Sequence, residues 1–223
     1  HDAVTNSPGS FELSTHSVRL LREHGARVIV KSPIMSVNAR HLNEMLDLSN
    51  ELQVELRVDL DIVPRDDGSF EPLGLRLGDE ELRAILGIDW MRSRFPVVIT
   101  ARPDAETDIC GAARRTCAIS SVGDVYPCVQ VRVPAGNVRE AEFKHIWRES
   151  PVMLRFRSKS FSDLNSQCRE SPKLSYCGRC GGLALAEDGD FLGVSSWACR
   201  VAAAKKLASQ DYARAGSAVA NND

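Results

Sequence analysis

Seven cysteines stand out in this 223-residue chain: Cys110, Cys117, Cys128, Cys168, Cys177, Cys180 and Cys199. None lies in the first 109 residues. Thiolates are soft ligands, suited to zinc and to iron–sulfur clusters. Cys177-Gly-Arg-Cys180 is the single Cys-x-x-Cys segment, and its glycine is expected to let the backbone curl so that both thiols reach a metal centre. Further ligands must come from far along the chain, so the fold must close long loops around each centre. Structural zinc favours two compact Cys-x(2–4)-Cys knuckles, and one is present. Disulfides need an oxidising compartment, and seven is odd. Buried free thiols leave the crowding of the cysteines unexplained. Clusters, zinc, disulfides and free thiols are the readings the residues alone allow.

Positioning these side chains requires a folded frame. With 43% hydrophobic residues, 26% charged residues and a net charge of −2, the composition is that of an ordinary globular chain. It gives no basic nucleic-acid face and no disordered tract. No run approaches the ~20 apolar residues of a membrane span. The chain opens on His1-Asp2 rather than Met, which reads as the interior of a longer protein whose start is missing. Helices are expected over 11–24, with Gly25 as its C-cap, over 39–53, and from Asp79 to about Leu86. Strands are expected over 27–31 and 54–63. Helix and strand in alternation point to α/β units on a parallel sheet. Residues 1–100 thus read as the later part of a β/α barrel, or else as a small independent α/β domain.

From Cys110 the pattern changes. Residues 117–131 carry a Gly-Asp turn between short β-like runs, a hairpin signal. Residues 140–149 read as a helix with Phe143, Ile146 and Trp147 inward. An irregular connection is expected over 158–176, then an Ala-rich helix over about 198–214 and a frayed end. This suggests a small cysteine-rich α+β domain over 101–202, followed by a helix and tail over 203–223.

Cys110 is followed by twelve residues, Gly123, four residues and Cys128. Around the cysteines sit ISSVGDVYPC (119–128), GNVREAEFKHIW (136–147) and SYCGRCGGLALAEDGD (175–190). This resembles the SPASM domain, the auxiliary-cluster extension of radical S-adenosylmethionine (SAM) enzymes. That family's pattern is Cys-x(9–15)-Gly-x4-Cys, a gap, Cys-x2-Cys-x5-Cys-x3-Cys, a gap and Cys. Residues 1–12, 31–38 and 61–69 resemble, more loosely, the later part of the radical SAM partial barrel. The resemblance implies a first auxiliary [4Fe–4S] cluster on Cys110, Cys117, Cys128 and Cys180. It implies a second on Cys168, Cys177 and Cys199. Two departures follow: Ser171 stands where the pattern has a cysteine, and Cys177 and Cys180 are one residue closer than in the family. The second cluster's fourth ligand is thus open to Ser171, Asp188, Asp190, water or substrate, or that cluster is labile or absent, leaving one auxiliary cluster instead of two.

The same resemblance implies reductive cleavage of SAM, hydrogen abstraction from substrate, and auxiliary clusters that relay an electron or bind substrate. The Cys-x3-Cys-x2-Cys site of the SAM cluster does not occur in this sequence. SAM and a further [4Fe–4S] cluster would belong to a missing N-terminal part. The implied partners are a peptide or protein substrate and an electron donor such as a flavodoxin or ferredoxin, in the cytoplasm. The alternatives are a non-enzymatic cluster-bearing remnant or split subunit that binds a peptide, and a zinc-stabilised structural domain. Lys31, Ser32 and Asn38 follow a strand end where barrel sites lie, and His1-Asp2 are further candidates. A solvated loop and an ordinary flank are their plain readings. His16, His24, His41 and His145 read as surface residues. Arg155, Arg157 and Lys159 form a basic cluster, either a solvated face or a contact for an acidic peptide. Trp147 and Trp197 read as packing residues beside the clusters.

Overall fold

A computed structural model describes residues 1–96 and 103–220. The chain divides into two compact units, His1–Gly78 and Asp79–Asp223. The boundary expected near residue 100 lies outside the described residues.

The first unit runs α1 (Asp2–Thr5), α2 (Ser10–Glu23), β1 (Ile29–Pro33), α3 (Leu42–Glu51) and β2 (Glu55–Asp59). β1 and β2 pair in parallel, with Lys31 opposite Arg57 and Pro33 opposite Asp59. α2 ends as expected, with the Ala26 N–H donating to Leu21 at 2.9 Å and Gly25 in the left-handed region. Its apolar stripe is another matter: Leu13 and Leu21 stay exposed. β2 is shorter than the strand expected over 54–63. Asp59 turns its carboxylate onto the Asp61 N–H at 3.0 Å, and such local side-chain bonds compete with the ladder and end it. The core lies around Ile34, Leu42, Leu56 and Leu77.

The second unit opens on α4 (Asp79–Gly87) and α5 (Asp89–Arg94). Leu82, Ile85 and Leu86 of α4 are buried, and α4 packs against the long α10 (Ser196–Ala220). Arg83 reaches Asp211 through two hydrogen bonds of 2.7 and 2.8 Å, and Arg200 reaches Asp79. α10 starts two residues earlier than expected because Asp188 accepts the Ser196 N–H at 3.1 Å, a cap for the helix N-terminus. It runs on through Ala220. The frayed end falls in part on residues 221–223, outside the described residues.

Between these helices sit β3 (Ala118–Ile119), β4 (Asp124–Tyr126) and β5 (Gly136–Asn137), an antiparallel sheet in the order β3-β4-β5. The 117–131 hairpin is present, and β5 adds a strand the alternation did not suggest. α6 (Phe143–Glu149) and α7 (Pro151–Arg157) follow. Ile146 is buried and Trp147 half-buried, but Phe143 is exposed, contrary to the inward position expected. It lies one turn before Trp147 and stacks on that ring, with centroids 6.0 Å apart. The connection over 158–176 holds short helical turns, including α8 (Ser166–Arg169), and leads into α9 (Gly181–Asp188).

Candidate metal centres

Six of the seven cysteines fall into two places. Cys110, Cys117 and Cys128, each half-buried, pack against an apolar cluster that includes Ala113, Val125, Ile146 and Phe191. Cys110 and Cys117 are joined by a tight loop in which the Gly111 carbonyl accepts from the Arg114 and Arg115 N–H groups at 3.0 and 2.9 Å. The Ala113 N–H donates to Pro127, beside Cys128, at 2.8 Å. Arg157 fastens the loop from outside, donating to the Ala113 carbonyl at 2.8 Å and to Trp147 at 2.5 Å. Arg157 is therefore half-buried and committed to these two carbonyls. Of the other two basic residues, Arg155 is exposed and Lys159 pairs with Asp163 at 3.9 Å.

The glycine of the Cys-x12-Gly-x4-Cys spacing now has a physical reason. Gly123 sits at φ +95°, and a Cβ there would lie 2.6 Å from Asn137 Oδ1. Asn137 occupies that space to hold the hairpin. It donates to the Val122 carbonyl at 3.1 Å and to Asp124 Oδ1 at 3.0 Å, and accepts the Arg139 N–H at 2.8 Å.

Cys128 Sγ accepts the Gln130 N–H at 3.4 Å. Burial pushes the Cys128 thiol above its ordinary range. Cys110 adds to the shift, while the Gln130 and Val131 N–H groups oppose it. Cys180, the N-cap of α9, enters here through the backbone. Gly182 lies so close to Gln130 that a Cβ would stand 2.4 Å from Gln130 Cβ and 2.8 Å from its carbonyl carbon and oxygen. That contact sets the chain two residues after Cys180 against the chain two residues after Cys128. In the Cys-Gly-Arg-Cys segment itself, Gly178 takes no left-handed φ and has open space where a Cβ would be. Position 178 thus makes no demand that only glycine meets, and the close approach falls to Gly182.

The second place is a cavity of about 920 Å³, lined by Cys168, Cys177, Cys199, Ser171, Arg179 and Lys205 among others. Burial pushes the Cys168 and Cys177 thiols up, and Cys199 adds to both shifts. Arg179 braces one wall, donating to Gly193 at 2.7 and 3.0 Å and also to the Phe191 carbonyl. Ser171 Oγ accepts the Lys173 N–H at 3.2 Å, and Ser171 lines the cavity. Asp188 caps α10, and Asp190 accepts the Leu192 N–H at 2.9 Å. Among the described residues, neither aspartate lines the cavity.

Also among the described residues, no three His, Cys, Asp or Glu side chains are placed to hold a single metal ion. One tetrahedral zinc would need its sulfurs about 2.3 Å from a common point, whereas a four-iron cluster spreads its thiolates over a larger body. The donor chemistry suits such clusters, with sulfur in the first group and sulfur plus one hydroxyl in the second.

The other sequence candidates have structural employment. Lys31 pairs with Asp59 at 2.8 Å, Ser32 packs on Met45, and Asn38 ties its loop through the Met35 N–H and the Pro33 carbonyl. Asp2 caps α2, accepting from the Gly9 and Phe11 N–H groups at 2.6 and 2.8 Å, and His1 lies within 3.2 Å of it. His16, His24, His41 and His145 are exposed. Trp147 packs against the first cysteine group, and Trp197 is 2% exposed. The roles of Gly182, Asn137 and Lys205 were missed in the sequence, and Arg157 was read there only as part of a basic cluster. Only the Gly-Gly pair after Cys180 left a visible signal.

Residues 110–181 match the SPASM family, an iron–sulfur cluster-binding domain. The chain resembles radical SAM enzymes that carry this domain, and its fold is the later part of their β/α barrel followed by SPASM. An AdoMet-dependent heme synthase of Methanosarcina barkeri is 25% identical over 86% of this chain and 61% of its own length. The mycofactocin maturase MftC of Mycobacterium tuberculosis is 26% identical over 81% of this chain and 46% of its own. A solved structure of native anSMEcpe with bound AdoMet and Cp18Cys peptide superposes with a TM-score of 0.57 at 16% identity, covering 96% of this chain and 64% of that one. The chain thus spans about half to three fifths of the length of the curated relatives it matches. No helix among the described residues is long and apolar enough to cross a membrane.

Proposed function

We propose that this chain is the auxiliary-cluster portion of a radical SAM enzyme that modifies a peptide or protein, and that it holds two [4Fe–4S] clusters. The observation that carries this reading is the gathering of Cys110, Cys117 and Cys128 against one apolar cluster and of Cys168, Cys177 and Cys199 around one cavity, within one compact unit. Cys110, Cys117, Cys128 and Cys180 hold the first cluster. Cys168, Cys177 and Cys199 hold the second, with Ser171 at the fourth position because it lines the same cavity. The clusters supply one-electron redox chemistry when bound. The protein's part is to position them and to exclude water. Its apolar cluster dries one side of the first site, and Arg179 and α10 wall the second. SAM and a further [4Fe–4S] cluster belong to residues N-terminal to this sequence, and a flavodoxin- or ferredoxin-type protein delivers electrons. The peptide reading draws on the mycofactocin maturase relatives and the peptide-bound neighbour.

Iron, sulfide and zinc analysis after anaerobic purification tests the cluster reading. About eight Fe per chain is expected for two clusters, and zinc without iron overturns it. Mass spectrometry after co-expression of the gene with the short reading frames that flank it tests the substrate. A modified peptide supports the reading, and conversion of a tetrapyrrole instead, in line with the heme synthase relatives, overturns it.

A further inference from the structure

Two charged side chains of α10 pair with residues of α4. Arg200 pairs with Asp79, and Asp211 pairs with Arg83. Lys205 lies between them in sequence and lines the cavity that Cys168, Cys177, Cys199 and Ser171 share. Its ammonium donates to the Pro96 carbonyl at 2.6 Å, and among the described residues it has no carboxylate partner. A half-buried lysine without an anion is costly, and burial pulls its pKa below the ordinary range. Arg169, Lys173 and Arg179 also line the cavity, and Arg169 and Arg179 donate to backbone carbonyls.

We infer that Lys205 is a positioning residue for the second cluster: its fixed positive charge on the cavity wall compensates the negative charge of the thiolate-bound cluster and raises its reduction potential. The inference rests on the second cluster proposed above. Reduction adds one electron to the cluster, and a cation held in a partly desolvated wall favours the more negative state. Removing the charge should therefore shift the potential downward. The Pro96 hydrogen bond is a separate, structural role that an uncharged donor can keep.

The experiment is an EPR-monitored redox titration of the iron-loaded chain, with iron content, in the parent protein, Lys205→Arg, Lys205→Gln and Lys205→Met. The expected result is two reduction steps in the parent, one of which moves to more negative potential in both neutral variants and stays near the parent value in Lys205→Arg. Selective loss of about four Fe in the neutral variants, with full iron in Lys205→Arg, gives the same support through assembly. Unmoved potentials with full iron overturn the inference and leave the two-cluster reading standing. A matching loss of iron in all three variants assigns Lys205 to packing and also overturns it. A parent with only four Fe removes both.

Discussion

Gly182→Ala isolates the contact that places Cys180. A Cβ at this position would stand 2.4 Å from Gln130 Cβ and 2.8 Å from its carbonyl carbon and oxygen. Optimal carbon separations are about 3.5–4.0 Å, so the two segments must part by roughly 1 Å. Gln130 has little room to give, because its own N–H is committed to Cys128 Sγ and the next N–H to the Cys128 carbonyl. Overpacking of this kind costs about 1–3 kcal/mol. Two effects oppose each other, since alanine in place of a helical glycine gains about 1 kcal/mol. The balance leaves a loss of about 0–2 kcal/mol, or roughly 0–8 °C in Tm for a unit of this size. Cluster content is the sharper readout: parting Cys180 from Cys128 should cut iron by about four per chain, one [4Fe–4S] cluster. Gly178→Ala is the control, since its Cβ meets open space and its φ is not left-handed. Anaerobic iron analysis and thermal melts of both variants decide the matter. Full iron in Gly182→Ala, with a melt like that of Gly178→Ala, would refute the reasoning.

Asn137→Ala removes three hydrogen bonds from the β3–β4–β5 hairpin and should destabilise the second unit by about 1–3 kcal/mol, measured as a lower midpoint in denaturant. Arg157→Lys should not restore the parent melting temperature that Arg157→Ala lowers, because one ammonium cannot reproduce the fork to Ala113 and Trp147 and the stack on the Trp147 ring. Ser171→Cys should slow the loss of iron from the second cluster in air, whereas Ser171→Ala should hasten it, followed by the decay of visible absorbance. The Asp2 carboxyl is held below its ordinary range, first by the Phe11 N–H and then by that of Gly9. A depressed folded pKa stabilises above the unfolded value and is lost as pH falls through the folded one. NMR titration of the Phe11 amide should therefore show a midpoint below that of a free aspartate, and Asp2→Asn should abolish the transition.

The α/β alternation was legible because helix stripes and the 54–63 alternation are local patterns. The parallel pairing of β1 with β2 follows from them. Strand length was not, since the turn that ends β2 depends on which way the Asp59 carboxylate points. Phe143 has the right spacing for an inward face and still lies outside, because the place against the core goes to Ile146. The cysteines announced metal chemistry by type, and Gly123 announced a turn. What no spacing could reveal is which backbones touch. Gly182 meets Gln130, and Asn137 meets Gly123, across long sequence separations. Lys205 reads as one more surface lysine on an Ala-rich helix until the fold turns it towards the cysteine cavity.

The division into four and three thiols is the claim on which the account turns. Iron and sulfide content of the parent, Cys128→Ala and Cys199→Ala, each purified anaerobically, tests it most directly. The account predicts about eight Fe in the parent and about four in each single variant, with different EPR signals remaining in the two. Loss of all iron in either variant, an identical residual signal in both, or zinc in place of iron would contradict it.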